Sequence, residues 1–320
     1  MRILALAFVA AAFLAAPVSA QNYPVKTVRL IAPFAPGGAT DVLARLTAQK
    51  LGERWGQQVI VDNRPGAGGN IGAELAARAA PDGYTLVVAG APHAINMTLY
   101  HKLTYDLAND LAGLNRIATY SSALVVHPSL PVKSVKDLIA IARKRPGELN
   151  FGSAGPGSPN RLAIELFMTM AGVKMVHIPY KGGSGQMVSE LVAGQVQLAS
   201  MGLPPSIGYI KTGKLRAIAV TGAARSPLLP GVPTVSEAGL PGYEVTSWYG
   251  VFAPAAVPKD LMTKLNGDIA AILGTADMKQ RLEKLGAEPA PQSREAFTRF
   301  VQAEISKWAK VVKDSGASVD

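Results

Sequence analysis

The chain has no cysteine. That excludes disulfides, thiolate metal sites, thiol nucleophiles and a lipid-modified N-terminal cysteine. Charge is sparse: 17% of the 320 residues are charged against 48% hydrophobic, a globular rather than a disordered composition, and the length allows about two domains. Acidic residues are the scarcer sign, 22 against 32 basic ones, leaving a formal net charge of +10. The excess is not a nucleic-acid footprint. Basic residues are spread along the chain, no aromatic residues interleave them, and no nucleic-acid motif is present. Their densest cluster, Arg143-Lys144-Arg145, reads as the solvated carboxyl end of a helix, where cations complement the dipole. A diffuse positive field of this kind still attracts anions.

The familiar catalytic signatures are also missing. Gly182-Gly183-Ser184-Gly185-Gln186 is not a nucleophile elbow, which would need glycine at the last position. Gly66-Ala67-Gly68-Gly69-Asn70-Ile71 lacks the third glycine of a dinucleotide fingerprint, and no glycine loop runs into Gly-Lys-Ser/Thr. The four histidines, His93, His101, His127 and His177, are never three or four residues apart, so no helix carries a metal-binding pair. Neither a metal nor another cofactor is expected. A serine hydrolase assembled in space, from Ser153 or Ser184 with His93 or His177, is the alternative function that the sequence leaves open.

What is present begins with an export signal. Residues 1–20 offer Arg2, an apolar stretch from Ile3 to Ala16, and small residues ending at Ala20, so cleavage is expected before Gln21. The apolar stretch falls short of the ~20 residues that span a bilayer, as does every later segment. The remainder alternates short apolar runs with helical periodicity. Val28-Arg29-Leu30-Ile31-Ala32-Pro33-Phe34 reads as a strand, followed from Thr40 or Asp41 by a helix with the stripe Ala44, Ala48, Leu51 and Trp55. Further strands are read near Val59-Ile60-Val61, residues 85–89, Leu149-Asn150-Phe151, residues 175–178, residues 196–199 and residues 215–220, with helices between several of them and from about Lys259 onward. That alternation predicts an α/β protein with mostly parallel sheets. Composition breaks near Tyr120-Ser121-Ser122 and in residues 239–249 suggest two crossings. They give a discontinuous domain 1 (residues 21–121 and 247–320) and a domain 2 (residues 122–246). The aromatic stretch Trp248-Tyr249-Gly250-Val251-Phe252 reads as core or an interdomain strand.

Three glycine-rich loops sit where open parallel sheets bind ligands, after a strand and before a helix: Pro36-Gly37-Gly38-Ala39-Thr40-Asp41, the loop from Ser153 through Gly155 to Ser158, and Lys181-Gly182-Gly183-Ser184-Gly185. Glycine exposes backbone N–H groups and the following helix aims its positive end at the same point, so each loop can hold a carboxylate or phosphate without a cation. Any one of them is also what a plain tight turn looks like; their recurrence is what favours an anion site. Asp41 reads either as a helix-end charge or as a carboxylate that orients the loop.

Phe34-Ala35-Pro36-Gly37-Gly38-Ala39-Thr40-Asp41, Val61-Asp62-Asn63-Arg64-Pro65-Gly66, Ala80-Pro81-Asp82-Gly83-Tyr84, His93-Ala94-Ile95-Asn96, Pro179-Tyr180-Lys181-Gly182, Val232-Pro233-Thr234 and Ser247-Trp248-Tyr249-Gly250 occur in that order. Together, over essentially the whole chain after residue 20, they resemble the Bug family, the periplasmic solute receptors of tripartite tricarboxylate transporters. The resemblance implies a two-domain, Venus-flytrap periplasmic-binding-protein fold and no catalysis. It implies a small organic anion, usually a carboxylate, held in the interdomain cleft. It also implies a monomer that hands its ligand to membrane transport subunits or to a sensor protein. Carried over by position, the ligand site would use Phe34, Ala35, Gly37, Gly38, Ala39, Thr40, Asp41 and His93 from one lobe, and Ser153, Gly155, Ser158, Lys181, Gly182, Ser184 and the Met201 region from the other. The chain departs from the family at Met201-Gly202-Leu203-Pro204, where many members carry Asp-Asn-Leu-Pro. Arg161 stands where many have histidine, and Gly90-Ala91-Pro92 replaces a hydroxyl-rich stretch. The expected ligand therefore has a carboxylate at one end and a less polar body.

Overall fold

A computed structural model describes residues 23–155, 158–180 and 183–319, with backbone only at residues 183, 184, 204 and 205. The export signal, Lys181 and Gly182 lie outside the described residues.

The chain starts with three βα units: β1 (Val28–Ala32), α1 (Ala39–Trp55), β2 (Val59–Asn63), α2 (Asn70–Ala77), β3 (Thr85–Gly90) and α3 (Ala91–Leu99). The strands are parallel in the order β2-β1-β3. Ala44, Ala48 and Leu51 of α1 are buried against them, as the stripe predicts, while Trp55 is half-buried at the end. Helix α3 was not legible as a helix: it leaves β3 with no connecting loop, so no turn residues separate the two. At that junction Gly90 is obligatory, because a Cβ would lie 2.2 Å from the Trp248 carbonyl oxygen.

The strand β4 (Leu111–Val126) then runs through the whole molecule. Beyond it come α4 (Val135–Lys144), β5 (Asn150–Ser153), α5 (Pro159–Ala171), β6 (Val176–Pro179), α6 (Gly183–Val192), β7 (Leu198–Gly202), α7 (Leu203–Lys211) and β8 (Arg216–Val220). The chain returns through β9 (Thr246–Pro254) and closes with α8 (Lys259–Leu273), α9 (Ala276–Lys284), the short β10 (Glu288–Pro289) and α10 (Arg294–Ser315).

The parallel pairs β1·β2, β1·β3, β5·β6 and β5·β7 lie within the two ends of the sheet, as strand–helix alternation predicts. The antiparallel pairs that the sequence did not anticipate all involve β4 or β9. Those two strands carry the chain across the molecule and back, so they must oppose each other. Pairing along β4 changes partner between Ser121 and Ser122. Leu111 through Ser121 lie against β9, and Ser122 through Val126 against β7.

The return of β9 is anchored from the C-terminal helix. Trp248, fully buried, packs edge-on against Phe297 and Phe300. Its Nε1–H and that of Trp308 both donate to Glu304 Oε2 at 2.9 Å, and Lys307 Nζ donates to the other oxygen at 2.5 Å. One buried carboxylate thus satisfies two indoles that have no water to turn to. Glu304→Ala strands both N–H groups and is expected to lower the unfolding free energy by about 2–4 kcal/mol, with Glu304→Gln losing less. Urea unfolding monitored by tryptophan fluorescence measures both.

Candidate functional site

The first loop is built by a turn that only glycine makes easily: Gly37 has φ 85°. Gly38, extended at φ −78° and ψ 169°, is the N-cap of α1. Asp41 is buried and folds back under the turn. Its Oδ2 accepts from the Gly37 N–H (2.9 Å) and Arg45 Nε (3.0 Å), and its Oδ1 from Asn63 Nδ2 (2.9 Å). Asn63 Nδ2 also donates to the Phe34 carbonyl at 3.1 Å, tying the end of β2 to the same loop. Burial by itself would raise the Asp41 pKa; Arg45, Gly37 and Asn63 outweigh it and hold the carboxyl at about 2. Asp41 therefore orients the loop and points away from the space in front of it. In that space lie the first-turn amides of α1, which have no acceptor within the helix, backed by the positive end of its dipole.

The second lobe uses hydroxyls in the same way. Ser153, fully buried, donates to the Gly155 carbonyl (3.0 Å) and accepts from the Gly155 N–H (3.1 Å). Ser158 caps α5, accepting from the Arg161 N–H while its hydroxyl donates to Gly155 O at 2.8 Å. Asn160, in the first turn of α5, donates to the Ser200 carbonyl at 2.6 Å and joins α5 to β7.

Between the two loops lies a cleft of about 960 Å³. Its floor is the long strand pair. Tyr120 and Ser122 of β4, and Ser247 and Tyr249 of β9, face it at alternate positions. The two tyrosine rings meet edge to face at 5.6 Å, and the Tyr249 phenol shares a hydrogen bond with the Thr40 hydroxyl. Five helices present their amino ends: α1 through Gly38, Ala39 and Thr40, α3 through Pro92, α5 through Pro159 and Asn160, α6 through Gly185, and α7 through its N-cap Gly202. Among the described residues, no Asp, Glu, Lys, Arg or His lines the cleft.

Of the residues picked from sequence, Phe34, Gly37, Gly38, Ala39, Thr40 and Met201 line this space. Ala35, Asp41, Ser153, Gly155 and Ser158 do not; they shape the loops from behind or beside them. His93 is buried beneath the first loop rather than in the cleft. Its Nδ1 accepts from the Gly90 N–H at 3.2 Å and its ring meets Phe34 edge-on, while the neighbouring Pro92 lines the cleft. Burial pushes the His93 pKa down to about 4, only partly offset by backbone contacts to Gly69 and Gly90, so the ring is neutral at pH 7. Lys181 and Gly182 fall outside the described residues, as does the Ser184 side chain. Sequence reasoning missed Tyr120, Ser122, Asn160, Ser200, Ser247 and Tyr249. The i, i+2 spacing of the two Tyr/Ser pairs is their signal, and it has meaning only once β4 and β9 are known to pair.

Ser153 Oγ and His177 Nε2 do meet, at 2.5 Å. The pair is no hydrolase. Ser153 has no exposed surface and does not line the cleft. The charge that acts on His177 is the Arg161 cation, which joins burial in lowering its pKa to about 4, where a triad would need a carboxylate.

A family model described as the tripartite tricarboxylate transporter family receptor matches residues 43–317. The chain belongs to this family. Protein BugT of Bordetella pertussis is 37% identical over 314 residues, 98% of this chain and 96% of that protein. Among solved structures, R. palustris Rpa4515 with adipate is 43% identical at a TM-score of 0.79, covering 92% of this chain and 99% of its own. MatC (Rpa3494) from Rhodopseudomonas palustris with bound malate is 33% identical at 0.75, covering 91% and 100%. This member of the receptor family is accordingly a periplasmic-type solute-binding protein with the two-domain α/β fold, not an enzyme.

The receptor's loop carries a pH signature. Asp41 is held below its ordinary value of 3.8, at about 2, so its contribution to stability is complete above pH ~4 and is lost as pH falls towards 2. Asp41→Asn is expected to destabilise the protein at pH 7 by about 1–2 kcal/mol, and the gap to the parent protein should shrink across that window. Thermal unfolding at pH 7, 4 and 2.5 measures it.

Proposed function

We propose that the protein is exported, loses residues 1–20, and captures a small carboxylate between a lobe of residues 21–121 with 247–320 and a lobe of residues 122–246. One ligand carboxylate rests on the amides of Gly38, Ala39 and Thr40. The second lobe closes over the rest, and the closed monomer delivers the ligand to the membrane subunits of a tripartite tricarboxylate transporter. The observation that carries this reading is the convergence of five helix amino ends from both lobes on one cleft with no Asp, Glu, Lys, Arg or His among its described lining residues. Aligned peptide dipoles favour an anion at such a point, and they do so without an ammonium or guanidinium that would have to be dehydrated as well. The adipate and malate held by the related structures are of the same chemical class. Closure would be driven by whatever extra contacts the ligand makes in the closed state.

The test is a thermal-shift screen of the purified protein against mono-, di- and tricarboxylates, aromatic acids and amino acids. A ligand at 100 times its Kd stabilises the folded state by about 2.7 kcal/mol, an easily read rise in midpoint. Gly38 gives the control. A Cβ there meets nothing closer than the Ala35 carbonyl at 3.6 Å, so Gly38→Val is tolerated by the backbone while its branched side chain occupies the anion position. The expected result is an unchanged midpoint without ligand and an affinity reduced about 100-fold or more, equivalent to about 2.7 kcal/mol. A folded variant that binds as tightly as the parent would remove the ligand from this loop.

A further inference from the structure

The excess positive charge is unevenly placed. Residues 122–246 hold twelve Lys and Arg against six Asp and Glu, and the rest of the chain after residue 20 holds nineteen against sixteen. Outside residues 122–246 most basic side chains are held by acids, as Arg29 is by Asp62, Lys50 by Asp277 and Arg54 by Asp268. Within them, Glu148, Glu165 and Glu237 each hold one arginine, and Asp137 accepts from the Lys133 N–H at the start of α4. Lys144, Lys174, Lys211 and Lys214 are exposed and, among the described residues, form no ion pair. The topology brings these four to one end of the sheet. β5, β6 and β7 run parallel, with Asn150 beside Val176 and Phe151 beside Leu198, and β8 begins with Arg216 beside Val126, the last residue of β4. The cleft lies at the carboxyl ends of β5 and β7, and α4, α5 and α7 lead the chain to the opposite ends. Lys144 is the last residue of α4, Lys174 joins α5 to β6, Lys211 ends α7 and Lys214 leads into β8. Arg143, which reaches the Ala171 carbonyl at the end of α5, and Arg145 lie beside them. The strand order β8-β4-β7-β5-β6 makes this end about 19 Å wide. Exposed apolar side chains stand among the cations: Met170 in the last turn of α5 and Val176, the first residue of β6. A groove of about 300 Å³ is lined by Ile210, Gly213 and Leu215, the chain neighbours of Lys211 and Lys214. Complementing the carboxyl ends of three helices accounts for a cation at each, but not for the apolar side chains exposed between them.

We propose that this end of residues 122–246 seats the protein on an anionic lipid surface, with lipid phosphates meeting Lys144, Lys174, Lys211 and Lys214 while Met170 and Val176 enter the headgroup layer. Lysines alone would suit any acidic partner. Lysines interspersed with exposed apolar side chains suit a bilayer surface, where headgroups take the charge and the acyl boundary takes the apolar atoms. Each Lys or Arg near such a surface strengthens adsorption about fivefold, so a cluster of this size is enough to hold a protein there. Little opposes it: of the acids on α4, α5, α6 and α7, Glu190 alone lacks a hydrogen-bonded partner among the described residues, and it is half-buried. The cleft lies at the other ends of the same strands, so a protein seated in this way keeps its cleft open to the solution from which it captures ligand. The proposal rests on export and is independent of what the cleft holds.

Vesicle cosedimentation tests it, using residues 21–320, which contain every described residue and omit the apolar leader. One set of vesicles holds about one-third phosphatidylglycerol in phosphatidylethanolamine; the other is phosphatidylcholine alone. The expected result is binding to the anionic vesicles at least about tenfold tighter than to the neutral ones in about 50 mM NaCl, and loss of that preference in about 500 mM NaCl. Replacing Lys144, Lys174, Lys211 and Lys214 together by Gln should weaken anionic binding about 100-fold or more. The control removes the same net charge elsewhere, from the exposed Lys259, Lys279, Lys284 and Lys313, and should cost less than about threefold. Circular dichroism checks that each variant folds, and if the fourfold variant does not, Lys211→Gln with Lys214→Gln is expected to lose about tenfold or more. Absence of any preference for the anionic vesicles overturns the proposal. So does a folded patch variant that binds like the parent, or a control that loses as much as the patch variant. Retention of the protein by polyglutamate but not by anionic vesicles also overturns it and makes the partner an acidic polypeptide.

Discussion

The position of one buried carboxylate fixes the loop on which the proposed anion site depends. Asp41 belongs to the first turn of α1, where a negative charge is favourable, and it could in principle face the cleft. It is instead turned under the loop, taken up by the Gly37 N–H, Arg45 and Asn63. Two consequences follow. The turn containing Gly37 is fixed, so the amides of the next residues project together and lose little freedom when they are used. The negative charge is cancelled locally by Arg45, so the potential in front of the loop remains that of the helix end. A carboxylate pointing the other way would turn an anion site into an anion barrier.

The same economy governs how the two halves are joined. β4 and β9 lie side by side; β9 begins at Thr246, opposite Ser121, and β4 continues past that point to pair with β7 from Ser122. Continuous strands keep the backbone hydrogen bonds paired up to the crossing, so the junction is narrow without being unsatisfied. The cleft floor lies on that junction, and Tyr120, Ser122, Ser247 and Tyr249 line it where β4 changes partner. Tyr249 is bonded at one end to Thr40 in the first glycine loop and meets Tyr120 of the neighbouring strand edge to face. One residue away, Trp248 points to the opposite face and is gripped by α10 through Glu304. Adjacent side chains of one strand thus serve the ligand face and the structural face, as the pleat requires.

Much of this was readable before any coordinates. The strand–helix alternation, the three loops and the ends of several helices follow from local signals: the apolar stripe of α1, Ser158 and Pro159 opening α5, and Gly172 closing it. Two kinds of feature were not readable. α3 begins directly after the last residue of β3, so there is no turn chemistry to mark it. The antiparallel crossing depends on which distant segments pair, and sequence spacing within β4 or β9 does not contain that information. The site inherits the same division. Loop residues such as Gly38 and Thr40 were found by local pattern, whereas Ser122 and Ser247 become neighbours only through pairing. His93 illustrates a further limit, because adjacency in sequence to a lining residue, Pro92, says nothing about which way a helix turns its next side chain.

The proposed holding of an anion by backbone dipoles would also shape what the receptor can do afterwards. A buried ion pair between ligand and protein would be expensive to form and, once formed, expensive to break, because separating it exposes a second charge that has lost its hydration. Helix ends contribute modestly each, typically 0.3–1 kcal/mol at exposed sites, and more where water is excluded. Five of them facing one cleft therefore add up only when the lobes come together, and they weaken together when the lobes part. On the proposed reading, affinity would be a property of closure rather than of either lobe. A ligand's apolar atoms packed against the cleft wall, at Val188 for example, would add burial that is likewise complete only in the closed form. A partner that pries the lobes apart removes both contributions at once, without having to neutralise a charge on the protein.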